Sequence, residues 1–331
     1  MSDRLKKRSN KYKRKLLLWF LFVVFLLVLS CGTYIFVQVY TATKGAYEEI
    51  DRQGNKSEYR EEEVTFSKDP ISILLIGVDY GVEGKNGRAD TLMVVTLNPS
   101  TKKTTLTTVP RDTRVEFYES EAQEYAGFHK INAAYSYGSI FEYGSNKLTI
   151  EKVEELLDIP IDEYVALDFD AFHQLVDTFG GVTVDVKQPF SQKSFKNDGK
   201  MINFDKGIMK MNGEEALAFV RMRKHAANTL YSREERQRQF VQAVINEALS
   251  TTTFLKIAEL SNVLENNIKT SLSPSEILQL QKAYASMDNV DVQTFEIEGQ
   301  NEVLHDIYYF IPEEESLLNV SEQIKQELAL P

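Results

Sequence analysis

Residues 71–110 read ISILLIGVDYGVEGKNGRADTLMVVTLNPSTKKTTLTTVP. Ile71 to Val78 is a short apolar run ending at Gly77 and Asp79, which fits a buried strand. Thr91 to Leu97 forms a second run, and Asn98-Pro99-Ser100 turns the chain. Thr104 to Val109 is β-branched and alternating, a third strand that Pro110 stops. Downstream the period changes to that of helices. Lys147 to Leu157 carries an apolar face, with Thr149 as its expected N-cap and Pro160 beyond its end. Phe169 to Phe179 is closed by Gly180-Gly181, a left-handed stop, and Val182 to Val186 alternates as a strand. Asn212 is placed to cap a helix over Gly213 to Val220, and Ser232 with Glu235 makes a capping box opening a helix to about Leu249. Ser273, Pro274 and Glu276 mark one more helix start, and Val290 to Ile297 alternates as a late strand. Interleaved strands and helices predict an α/β class with a mixed central sheet covered by helices on both faces, an αβα sandwich.

Ahead of that domain the composition is different. The first fifteen residues hold eight Lys or Arg and one acid, Asp3, and no charge follows from Leu16 to Val37. A helix of that length is about 33 Å long, matching a hydrocarbon core of about 30 Å. Basic residues crowd before the run, whereas Lys44, Glu48, Glu49, Asp51 and Arg52 mix signs after it. The positive-inside rule then predicts a single-pass cell-membrane protein with a cytoplasmic N-terminus. The expected organisation is a cytoplasmic arm over 1–15, a transmembrane helix over 16–37, an extracellular stalk over 38–69 and an extracellular domain over 70–331. Cys31 is the only cysteine, so the exported domain relies on an ordinary hydrophobic core and not on disulfides. The chain's formal charge is −11, and the arm contributes +7 of it, so the remainder carries −18. Such an acidic exterior argues against nucleic acid as a partner, while the arm suits anionic membrane lipid. An anionic ligand must then meet locally concentrated arginine.

Four charged clusters lie at the ends of predicted elements. Asp79 leaves the first strand and Arg88 and Asp90 enter the second, with Gly81, Gly84 and Gly87 between them. Two carboxylates joined by such a loop could hold Mg²⁺, or Mn²⁺ in its place; the plain alternative is a solvated hairpin. No Gly-Lys-Ser/Thr ends the loop, which excludes a P-loop, and the glycine spacing misses the dinucleotide fingerprint. Arg111 and Asp112 follow the third strand, positioned to reach a cleft or simply to pair with each other. Lys130 and Asn132 sit in the third cluster, HKIN over 129–132. Beyond His129 in that cluster, His173, His225 and His305 read as having no Cys, Asp or Glu at zinc-ligand spacing. The fourth cluster is Arg221-Met222-Arg223 followed by SREERQRQ over 232–239. On the helix opened by Ser232, Arg233 and Gln237 fall within about 40° of the apolar stripe of Phe240 and Val244, at a helix start that favours an anion. Arg236 and Arg238 diverge from that stripe and read as surface charges.

The succession IGVD (76–79), RADT (88–91), VPRDT (109–113), KINAAY (130–135), DTFGGV (177–182), GEEALAFVRMR (213–223) and REERQRQ (233–239) resembles the LytR-CpsA-Psr family. The resemblance implies a ligase that moves an anionic glycopolymer, teichoic acid or capsular polysaccharide, from a polyprenyl pyrophosphate carrier to peptidoglycan. By the same resemblance Asp79 and Asp90 are metal ligands. Arg88, Arg111, Arg221 and Arg223 bind pyrophosphate, Arg233 and Gln237 complete the pocket, and Lys130 and Asn132 join the substrate-binding set. Arg111, Asp79, Asp90 and Gln237 are the implied catalytic residues. One stretch departs from the family pattern. Residues 224–232 read KHAANTLYS, with no acid, and Leu230 and Ser232 stand where Asp-Phe-Gly-Arg usually supplies Asp and Gly. That departure keeps a second expectation open, a regulatory protein that binds polyprenyl phosphate with little catalysis.

Overall fold

The computed structural model describes residues 46–52, 54, 56–66, 68–79, 87–195, 199–222, 231–248, 268–284 and 292–330. Fourteen strands are described: β1 (Ile71–Val78), β2 (Ala89–Asn98), β3 (Lys103–Val109), β4 (Arg114–Phe117), β5 (Gly127–Lys130), β6 (Glu163–Asp168), β7 (Val182–Val186), β8 (Phe190–Lys193), β9 (Met201–Phe204), β10 (Gly207–Met211), β11 (Ile268–Thr270), β12 (Val292–Glu296), β13 (Gly299–Leu304) and β14 (Ile307–Pro312). The helices among them are α1 (Glu119–Ala122), α2 (Ala133–Ile140), α3 (Ser145–Leu157), α4 (Phe169–Thr178), α5 (Gly213–Arg221), α6 (Arg233–Ala248), α7 (Pro274–Tyr284) and α8 (Glu314–Glu327).

Six strands form the central sheet in the order β11-β6-β1-β2-β3-β12. β1 pairs antiparallel with β2, Leu75 opposite Met93, and parallel with β6, Leu75 opposite Val165. β3 pairs antiparallel with β2 and parallel with β12. The sheet is therefore mixed, as predicted. Alternation along the strands sends Leu74, Ile76 and Val78 of β1, with Leu92 and Val94 of β2, to one face. There they pack under Leu148, Val153 and Leu157 of α3 and Val320 and Ile324 of α8. On the other face Met93, Val95 and Leu106 meet Val241 and Ile245 of α6, and Ile71 and Ile73 meet Ile277 and Leu280 of α7. Both faces are covered, and burial of each such side chain stabilises the fold by roughly 1.5–3 kcal/mol.

A second core sits beside the sheet, where the β7–β10 and β8–β9 ladders meet α4, α5 and α6. It mixes aliphatic and aromatic side chains, with Phe190 and Phe204 stacked at 4.5 Å and Phe172 against Phe240 at 4.9 Å. The turn out of α4 needs its glycines. Gly180 and Gly181 have φ of +79° and +97°, and a Cβ on Gly181 would come within 2.9 Å of Met211 O on β10.

Two boundaries differ from those the sequence suggests. Thr149 lies inside α3, its hydroxyl donating to Ser145 O, because Gly144 precedes the helix and opens it a turn earlier. Asp158, in the left-handed conformation, ends it. The expected stalk over 38–69 is also not free where it is described. Arg60 forms a bidentate pair with Asp162 at 2.7 Å, Ser57 donates to the buried Glu154, and Phe66 packs beneath β1. The packed body thus begins by Ala46, because this polar segment contains the partners that buried charges in the domain require. Among the described residues no helix is long and apolar enough to cross a membrane; the arm over 1–15 and the expected span over 16–37 lie outside them.

Candidate active site

Pro110 ends β3 and starts a turn in which Thr113 N and Oγ1 both donate to Pro110 O. The turn swings Arg111 over the start of β2. Arg111 Nη1 donates to Asp90 Oδ1 at 2.7 Å, and Arg233 Nη2, from the first turn of α6, lies 3.8 Å from Asp90 Oδ2. Asp90 is thus held between two guanidinium groups. Asp112 takes the other side of the turn, pairing with Lys130 Nζ at 2.8 Å and lying 3.6 Å from Arg111 Nε. The local Arg111–Asp112 pair that the sequence allowed is therefore the weaker contact. Gln237 Nε2, one helical turn after Arg233, donates to Thr91 Oγ1 at 3.2 Å. Across β2, a Cβ on Gly77 would lie 2.9 Å from Thr91 Cβ, so only glycine leaves Thr91 this position without a shift.

Asp90, Thr91, Arg111, Asp112, Arg233 and Gln237 line one cleft of about 520 Å³, whose far wall is Asn301, Tyr308 and Phe310 on the β13–β14 hairpin. The hairpin is pinned to the arginine turn by Phe310 N, which donates to Asp112 O at 2.9 Å. Two cations (Arg111, Arg233) and two carboxylates (Asp90, Asp112) are in the lining, while Lys130, outside it, sits on Asp112 at 2.8 Å and lies 5.6 Å from the Tyr308 ring, which adds positive charge at the rim. Guanidinium forks suit phosphate oxygens, and the positive end of the α6 dipole adds to the attraction.

The remaining expected site residues divide. Asp79 Oδ1 accepts from Arg88 N at 2.8 Å, and Asp79 N donates to Arg88 O, so the two close the neck of the loop between β1 and β2. Arg88 itself is exposed, near enough to Tyr137 to oppose the rise that burial gives the Tyr137 hydroxyl pKa. Asn132 is buried and braces by its backbone, receiving Ala89 N and donating to Arg111 O. Arg221 is not in the cleft lining; its guanidinium lies between the rings of Phe169 and Phe195, at 4.0 and 4.1 Å, beside a pocket with Lys193. Arg223 and the acid-free stretch up to Leu230 lie outside the described residues.

Two residues expected as surface charges are not. Arg236 is wholly buried, its guanidinium donating to Phe219 O, Met222 O and Tyr231 O. Helical periodicity turned it away from the sheet, but that direction leads into the second core. Arg238 is mostly buried and pairs with Glu235 and Glu296. Burial pushes the Glu235 carboxyl pKa up, but hydrogen bonds from Lys187 and Arg238 outweigh it and hold it below its ordinary value. Ser232 caps α6 as predicted, its Oγ accepting from Glu235 N at 3.0 Å, while the Glu235 carboxylate is taken up by the two cations.

Sequence reasoning missed Asn301, Tyr308 and Phe310, the far wall. Neither strand alternates in polarity, and the turn between β13 and β14 uses His305 and Asp306 with φ of +51° and +63°, without the glycine that usually announces such a hairpin.

The LytR_cpsA_psr family pattern matches residues 33–326 of the chain. The chain belongs to the LytR-CpsA-Psr family. It is 38% identical over 323 residues to the polyisoprenyl-teichoic acid--peptidoglycan teichoic acid transferase TagV of Bacillus subtilis, covering 96% of this chain and 80% of TagV. The TagU transferase of the same organism is 34% identical over 328 residues, with 98% and 99% covered. The crystal structure of B. subtilis TagV superposes with a TM-score of 0.67 at 37% identity, spanning 80% of this chain and 99% of that one. A TagT structure with bound octaprenyl pyrophosphate lipid gives 0.64 at 28% identity, spanning 86% and 100%.

Proposed function

We propose that this family member transfers an anionic glycopolymer of the teichoic acid class from a polyprenyl pyrophosphate carrier to peptidoglycan. The observation that carries the reading is Asp90 clasped by Arg111 and Arg233 in a cleft at the sheet's strand ends, within a chain so similar to TagV and TagU. The sugar hydroxyl of the acceptor forms a new O–P bond at the phosphorus nearest the polymer. The bridging P–O bond breaks, polyprenyl phosphate departs with the electron pair, and the hydroxyl proton is lost. Arg111 and Arg233 neutralise the pyrophosphate and fix its orientation, the two largest needs of such a displacement. Gln237 offers a neutral donor from the same helix face.

Asp79 and Asp90 would hold Mg²⁺. The fit is supported by the donor set: two carboxylates stand at the two ends of one loop, Asp79 after β1 with one oxygen accepting from Arg88 N, and Asp90 near the start of β2. A pair of carboxylates suits a cation that takes its other ligands from water and phosphate oxygens. Bound there, the ion would add positive charge beside the leaving phosphate. We further propose that residues 16–37 anchor the chain with the domain outside the cell, next to the lipid carrier.

A second reading, carrier binding with slow turnover, draws support from the acid-free sequence over 224–232. The test for both is one reaction: full chain, Mg²⁺, lipid-pyrophosphate-linked oligosaccharide and peptidoglycan fragments. A covalent conjugate supports transfer. Saturable lipid binding with no conjugate supports the second reading.

A further inference from the structure

Arg236 is the largest side chain among the fully buried described residues. Its Nε donates to Phe219 O at 3.0 Å, its Nη1 to Tyr231 O at 2.6 Å, and its Nη2 to Met222 O. Phe219 lies in the last turn of α5 and Met222 is its C-cap. Carbonyls there have no partner within their own helix and carry the negative end of its dipole. Tyr231 immediately precedes Ser232, the residue that caps α6. One guanidinium therefore joins the end of α5 to the beginning of α6. A buried charge is costly unless its donors are satisfied, so this arrangement holds only while all three carbonyls stay in place.

On α6, Arg233 precedes Arg236 by three residues and Gln237 follows by one. At about 100° per residue both lie on the same side of Arg236, roughly 40° apart. A rotation of the first turn by one residue's step would carry both out of the cleft. We propose that Arg236 is a positioning residue: by locking the first turn of α6 to the end of α5, it sets the angle at which Arg233 and Gln237 face Asp90 and Thr91. Its effect on ligand is exerted wholly through those two side chains. The identity of that ligand rests on the proposed transferase reading; the helix locking does not.

Two measurements on the full chain in detergent micelles test this separately. The first needs no ligand. In Arg236→Met, amide hydrogen exchange at positions 235 and 236, whose N–H groups donate to Ser232 Oγ and O in the wild type, is expected to accelerate about tenfold or more, with the β2 and β3 amides unchanged. Unchanged exchange in that turn overturns the proposal. The second is a cycle with farnesyl pyrophosphate as the probe. Arg236→Met should weaken binding about tenfold in the wild-type background and less than about twofold when Arg233→Ala and Gln237→Ala are already present. Arg236→Lys, which keeps the charge and some donors, should fall between wild type and Met in both measurements. Equal losses in the two backgrounds would mean that Arg236 acts through general stability, and the proposal fails.

Discussion

Arg111 Nη1 and Asp90 Oδ1 lie 2.7 Å apart, joining the turn after β3 to the first residues of β2. The pair couples two loops that the sheet alone would leave independent. It also keeps a guanidinium preorganised in a cleft where phosphate has to bind. Arg111→Ala should lower the transfer rate about 10²–10³-fold, the usual loss when one preorganised donor is removed. Arg111→Lys should recover little, since an ammonium cannot grip both Asp90 and a phosphate in a fork. A single-turnover rate with saturating carrier is the measurement that separates this from weaker binding.

Asp90→Asn should do two things, because Asp90 is both the proposed metal ligand and the partner of Arg111 and Arg233. It should raise the Mg²⁺ concentration needed for half-maximal activity and also loosen the arginines. Asp79→Asn should shift only the Mg²⁺ titration, since Asp79 otherwise closes the loop neck through Arg88 N. Overlapping Mg²⁺ curves for wild type and both variants would eliminate the two-carboxylate site.

How much of this was legible beforehand depends on what each residue's environment is made of. β1, β2 and β3 follow from alternation, because burial on a pleated sheet has a period of two that composition displays directly. Arg233 and Gln237 followed from helical periodicity relative to Phe240. Arg236 did not, because its partners are main-chain carbonyls of Phe219, Met222 and Tyr231, which no side-chain pattern encodes. Tyr308 was hidden for a related reason. Its place opposite Arg111 depends on a tertiary contact, Phe310 N to Asp112 O, between segments far apart in the chain.

Arg238→Ala should leave carrier affinity unchanged while lowering stability. The side chain is tied to Glu235 and Glu296 and is absent from the cleft lining. Because Glu296 is largely exposed, the loss should be about 1 kcal/mol or less, a shift of a few degrees in melting temperature. A drop in pyrophosphate affinity comparable to that of Arg233→Ala would contradict the assignment.

Glu163 on β6 predicts a pH dependence of stability unrelated to the cleft. Burial pushes its carboxyl pKa up to about 8, against the smaller opposing hydrogen bond from Ser271, and its Oε2 is buried without a hydrogen-bond partner among the described residues. The folded state therefore binds this proton more tightly than the unfolded state does, and stability should fall as pH rises from about 4.5 through about 8. Glu163→Gln keeps the neutral form at every pH. Its melting temperature should exceed that of wild type by a margin that grows over this range; a constant margin would mean that Glu163 ionises freely.

The acid-free stretch suggests a gain of function. Leu230→Asp restores the family's usual carboxylate, and general-base assistance is typically worth about 10²–10⁴-fold. Ser232 should be left alone, since its hydroxyl caps α6 through Glu235 N. A folded Leu230→Asp variant should transfer faster with carrier affinity unaltered, and an unaltered rate would show that the carboxylate is dispensable in this chain.

The central claim is that the Asp90–Arg111–Arg233 cleft moves a polymer and does not merely hold its carrier. It is tested most directly by incubating the full chain with Mg²⁺, a lipid-pyrophosphate-linked oligosaccharide labelled in its sugar, and peptidoglycan fragments. Both lipid and sugar products are then followed by mass spectrometry. The account predicts stoichiometric appearance of polyprenyl monophosphate and a sugar–phosphate–peptidoglycan conjugate, both lost in Arg111→Ala. Release of polyprenyl phosphate with only free oligosaccharide phosphate, or lipid binding without any product, would contradict it.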